Sequence, residues 1–85
     1  MDELTKLREE IDEIDRHLVS LFESRMEIAI KIGQLKKKNN LPILNTLREQ
    51  EVIELALNNL KNPRFKKPLE EFFKGLLKVS KEMQV

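Results

Sequence analysis

LTKLREEIDEIDRHLVSLFESRMEIAIKIGQLKKK, from Leu4 to Lys38, decides the fold. Leu4, Leu7, Ile11, Ile14, Leu18, Leu21, Ile28, Ile32 and Leu35 follow one another in steps of four and three, with only position 25 missed. Such a 4-3 stripe is the seam along which helices pack with a left-handed twist. No proline interrupts it before Pro42, so the pattern predicts one helix over about 4–38. At about 1.5 Å per residue that helix is about 52 Å long. A compact globule of this chain length is only about 30 Å across. The helix therefore outruns its own domain, and the overhang needs a cover, most simply a second copy of the chain.

Outward from that stretch the rest is short. Asn39-Asn40 and Pro42 predict a linker, since the residue before proline is pushed out of the helical region. Thr46 with Glu49 three residues on has the form of a capping box. It opens a second helix over about 46–61, with Leu47, Ile53, Ala56, Leu57 and Leu60 as its apolar side, ended by Asn62-Pro63. Pro68 suits the first turn of a third helix over about 66–84. Leu69, Phe72, Phe73, Leu76, Leu77, Val79 and Met83 form its buried side. There is no strand alternation. The expectation is an all-α single domain over 1–85, three helices per chain.

Composition narrows the chemistry. The chain has 85 residues, 16 Lys and Arg against 15 Asp and Glu, one His and no Cys. A net charge of +1 does not suit a nucleic-acid binder, which shows a basic excess. Without cysteine there is no disulfide scaffold, thiolate metal site or cysteine nucleophile. No stretch approaches 18 apolar residues, and the charged opening reads as no signal peptide. The expected location is the cytoplasm, with no membrane and no metal.

Several polar residues stand where the pattern wants apolar ones. Arg25 interrupts the seam. It is either a register-setting or paired residue, or a cation awaiting an anion inside a bundle. Arg8 and Lys36 flank the seam at positions that usually carry solvated charge. Arg25 and Lys36 are three turns apart, about 16 Å along one face, and their long side chains can converge on one small molecule. Arg8 is about 26 Å from Arg25 on the same helix, so it reaches such a ligand only from an antiparallel partner. Ser80 and Gln84, at i and i+4, extend an apolar stripe with two hydrogen-bonding groups, unless they are simply a solvated chain end. Glu49 reads first as a cap, Arg48 and His17 as surface residues.

Taken together, LREEIDEID from Leu7, Arg25, Lys36, LREQE from Leu47, and the Ser80-to-Gln84 spacing resemble the all-helical (AroQ-class) chorismate mutases. The resemblance covers essentially the whole chain. It implies an intertwined six-helix homodimer with two shared active sites, and conversion of chorismate to prephenate on the way to Phe and Tyr. That reaction is a concerted Claisen rearrangement without nucleophile, proton transfer, metal or cofactor. By the same resemblance, Arg8 from the partner chain and Arg25 hold the substrate carboxylates, with Ser80 assisting. Arg48 supports the anionic end and Glu49. Glu49 and the backbone near Asn45 bind the ring hydroxyl. Lys36 and Gln84 donate to the ether oxygen. Asn45 stands where relatives often carry Asp; a helix cap is served by either. Two other readings stand beside the mutase: an isochorismate–pyruvate lyase on the same fold, and a non-catalytic helical dimerisation module.

Overall fold

The computed structural model describes residues 2–85. Helix α1 runs Glu3–Lys38, α2 Thr46–Asn59 and α3 Lys66–Gln84, with a single 3-10 turn at Pro63–Phe65 leading into α3. Among the described residues there is no strand, and no helix is long and apolar enough to cross a membrane.

α1 is unbroken for 36 residues. Asp2 caps its start by accepting from the Thr5 amide at 2.9 Å. That bond favours the ionised carboxyl and holds Asp2 below its ordinary acidity range. At the other end Asn40 takes a left-handed conformation, φ 55°, which asparagine tolerates better than most residues. This lets the Leu41 amide reach back to Lys36 O at 2.8 Å and the Asn40 amide to Lys37 O at 3.3 Å. Both bonds satisfy carbonyls that the last helical turn leaves open.

α3 packs against both α1 and α2, whose backbones stay apart from each other. The molecule is correspondingly elongated, 57 × 25 × 16 Å, with a radius of gyration of 16.1 Å. A compact chain of this length has about 12 Å. The core is slight: Met26, Ala29, Gly33 and Ser80 are buried, and no large side chain is fully enclosed. The first half of α1 overhangs. Leu4, Leu7, Ile11, Ile14, Leu18, Val19, Leu21 and Phe22 are each 45–67% exposed.

Two expectations about α2 are corrected. Its cap is Asn45, whose side chain accepts from the Arg48 amide at 3.0 Å. Thr46 is the first helical residue, so the Thr46–Glu49 capping box does not form, and Glu49 is free to turn elsewhere. The helix also ends at Asn59, two residues earlier than the expected 61. Asn58 and Asn59 are weak helix formers, and Leu60 turns extended (φ −74°, ψ 131°) to tuck its side chain partly inside. Asn62-Pro63 does not end α2; Asn62 instead caps the 3-10 turn through the Arg64 amide at 3.0 Å. Pro68 sits within the first turn of α3, where its missing N–H costs nothing.

Candidate active site

The last turn and a half of α3 joins the three helices. Ser80 is buried against α1 and accepts a hydrogen bond from Arg25 Nη1 at 3.1 Å. Four residues on, Gln84 Oε1 accepts from Lys36 Nζ at 2.8 Å. The interruption of the seam at Arg25 is thus resolved within the chain: the guanidinium leans towards α3 and is partly buried. Gly33 makes the second contact feasible. A Cβ there would lie 2.6 Å from Gln84 Cα and 2.8 Å from its carbonyl carbon, so the backbones of α1 and α3 meet this closely only across a glycine.

Lys36 is fixed from two sides. Its carbonyl accepts from Leu41, and its ammonium donates to Ile43 O at 2.7 Å as well as to Gln84. The linker after α1 thereby holds the lysine in place. An ammonium has three donors, so one is left for a ligand. Ser80 accepts from Arg25 and keeps its own hydroxyl proton to donate.

These groups open on a cavity of about 370 Å³ between α1, α2, α3 and the linker. Arg25, Lys36, Asn45, Arg48, Glu49, Ser80 and Gln84 all line it, against an apolar floor that includes Ile28, Ile32, Val52 and Leu77. The volume suits a small molecule. With Lys81, the lining carries four cations and one carboxylate. Such a lining favours an anion, the more so because low-polarity walls strengthen each charge.

Arg8, expected to serve only a partner chain's site, lies exposed on the overhanging half of α1 and lines no part of this chain's cavity. Arg48 lines it but does not steady Glu49; its guanidinium pairs with Glu51 at 3.3 Å on the outer face. The partner of Glu49 is Lys81, at 3.0 Å. Asn45 contributes its side-chain oxygen to the helix cap. His17 is exposed, its Nδ1 3.0 Å from Glu13 O, and takes no part. Gly33 and Lys81 are the residues that sequence reasoning missed. A glycine inside an otherwise strong helix pattern was the available signal for the first.

The family model described as chorismate mutase type II matches residues 7–85. The chain belongs to that family. Among curated proteins, the bifunctional chorismate mutase/prephenate dehydratase of Aquifex aeolicus is 46% identical over 57 residues, which are 67% of this chain and 16% of that protein. The T-protein of Haemophilus influenzae is 39% identical over 54 residues, 64% of this chain and 14% of that one. The chain thus spans a small part of the length of these relatives. A solved structure of a conserved hypothetical protein from Pyrococcus furiosus is similar over 100% of this chain and 99% of its own, with a TM-score of 0.81 and 41% identity. The all-helical architecture expected of the type II family is the one found here.

Proposed function

We propose that this type II family member is an active chorismate mutase, a single catalytic domain over residues 1–85. It converts chorismate to prephenate. In that step the ether C–O bond breaks as a C–C bond forms between the enolpyruvyl methylene and the ring, all electrons moving in one cycle. No group is transferred to the protein. What the protein supplies is confinement of the flexible enolpyruvyl arm in its reactive pose and donors aimed at the oxygen that gains charge.

The observation that carries this reading is the Lys36–Gln84 bond at the cavity wall. Lysine can only donate, so Gln84 must turn its oxygen towards Lys36 and its NH₂ group away. The remaining Lys36 proton and the Gln84 amide are then two donors side by side, suited to one ether oxygen. Arg25 with Ser80 forms a fork for a carboxylate, and Glu49 is the acceptor for the ring hydroxyl.

In this reading the working unit is an intertwined six-helix homodimer. The apolar stripe along the first half of α1 supports it, because eight large side chains at 45–67% exposure are more than an isolated small domain leaves in water. A two-fold partner helix, antiparallel to α1, brings its Arg8 to the otherwise incomplete anion end. The enzyme works in the cytoplasm on a diffusible substrate.

Loss of chorismate absorbance together with formation of prephenate tests the activity. Release of pyruvate from isochorismate instead assigns the lyase. A well-folded protein that consumes neither is a helical dimerisation module.

A further inference from the structure

Glu49 is the only carboxylate in the cavity wall, and Lys81 holds it. Lys81 Nζ lies 3.0 Å from Glu49 Oε2. Among the described residues this is the only ion pair that joins two helices. Arg16 with Glu13, Arg48 with Glu51, and Lys74 with Glu70 and Glu71 all close within a single turn. The Lys81–Glu49 pair is also the most sheltered, its side chains 38% and 27% exposed. The two residues face a second groove of about 240 Å³ on the far side of the α2–α3 seam, with Gln50 and Lys74. With Leu77, which also lines both spaces, they form the partition between cavity and outside. The turn of α3 that sends Ser80 and Gln84 to α1 sends Lys81 to α2.

Charge gives the pair a purpose. Arg25, Lys36, Arg48 and Lys81 against Glu49 leave the lining at +3. Remove Lys81 alone and a bare carboxylate faces a substrate that itself carries two. Remove both partners of the pair and the balance is unchanged. We propose that Lys81 is a positioning residue for the hydroxyl end of the substrate. Its ammonium clamps one oxygen of Glu49, leaves the other to accept from the ring hydroxyl, and offsets the repulsion between Glu49 and the dianion. This rests on the chorismate mutase reading above.

Steady-state kinetics on the full chain test it, with wild type, Lys81→Met, Lys81→Gln, Lys81→Arg, Glu49→Gln and the Glu49→Gln/Lys81→Met double variant. Thermal melts confirm that each is folded. Lys81→Met and Lys81→Gln are both expected to raise KM for chorismate roughly tenfold with kcat changed less than about threefold, the sign of lost binding rather than lost chemistry. Lys81→Arg restores a cation and keeps KM within about threefold of wild type. In the Glu49→Gln chain, adding Lys81→Met changes KM less than about twofold, because the two residues act as one unit. A KM unaltered by either neutral variant overturns the proposal. So does an equal penalty in the Glu49→Gln chain, which makes Lys81 a direct substrate contact. If wild type itself converts no chorismate, the functional reading falls and this one with it. If wild type is active and Lys81 insensitive, only this one falls.

Discussion

Lys36 Nζ and Gln84 Oε1, 48 residues apart in the chain, meet at 2.8 Å, and that bond sets which end of the Gln84 amide faces the cavity. A neutral amide donates at any ordinary pH, so wild-type activity is expected to be nearly flat around neutrality. Gln84→Glu changes this. The introduced carboxyl donates only when protonated, and Lys36 beside it favours the ionised form. Activity of the variant therefore falls as pH rises, approaching about tenfold per unit once the carboxyl is mostly ionised. A pH–rate profile from acid to alkaline reads it directly. A variant equally active on the alkaline side removes Gln84 from the ether contact.

The two glycines are expected to respond in opposite senses. At Gly33 an added Cβ meets backbone atoms of Gln84 at 2.6 and 2.8 Å, and backbone cannot rotate aside. The end of α3 must shift. Gly33→Ala is expected to cost about 1–3 kcal/mol, less up to about 1 kcal/mol regained from alanine's helix propensity. Because the shift carries Gln84 away from Lys36, kcat should fall at least about tenfold. At Gly75 nothing lies within 4 Å of the added atom, so Gly75→Ala should stabilise by up to about 1 kcal/mol with turnover unchanged. Melting temperatures and kcat of the two variants, side by side, separate packing from propensity.

Arg25→Ala is expected to reduce kcat/KM by about a hundredfold or more, since a charge-assisted anchor is lost where charge must be held. Helicity by circular dichroism should stay near wild type; a chain that unfolds would make Arg25 structural instead. Mixing Arg8→Ala chains with Arg25→Ala chains tests the shared site. In a mixed dimer one site collects both lesions and the other is intact. After random exchange about a quarter of wild-type activity should return. No recovery in verified heterodimers would count against a site shared between chains.

The helices were readable in the sequence because their signals are local. The 4-3 stripe predicted α1 to within a residue at its start, and Asn39-Asn40 marked its stop. Caps were less secure, since Asn45 and Thr46 are adjacent and both cap well; only the backbone, extended at Asn45 and helical at Thr46, decides between them. Arg25, Ser80 and Gln84 stood out as polar residues on apolar faces and Lys36 only as a charge beside the seam, yet nothing local says that Arg25 meets Ser80 and Lys36 meets Gln84. Lys81 was hidden altogether. It is one of 16 basic residues, and its distinction comes from Glu49, 32 positions away.

Acid should loosen the start of α1 before the rest. The Thr5 amide bond holds the Asp2 carboxyl below the ordinary 3.8. A lowered folded value means that the cap's contribution is complete above 3.8 and is lost as pH falls through that lowered value. The protection of the Thr5 amide against hydrogen exchange, relative to its intrinsic rate at each pH, should fall over that interval. Asp2→Asn, which still caps, should abolish the pH dependence without freeing the amide at neutral pH.

Helix α1 is a rod without a joint between Arg8 and Arg25. Inserting one residue between them turns Arg8 by about 100° relative to Arg25 and moves it about 1.5 Å along the axis. Inserting seven nearly restores the facing but adds about 10 Å. No small insertion or deletion preserves both direction and distance. In the proposed shared site, where the partner's α1 supplies Arg8, the solvent side of α1 can therefore drift by substitution while the length between these arginines is held fixed: a stretch permissive in composition and intolerant in register.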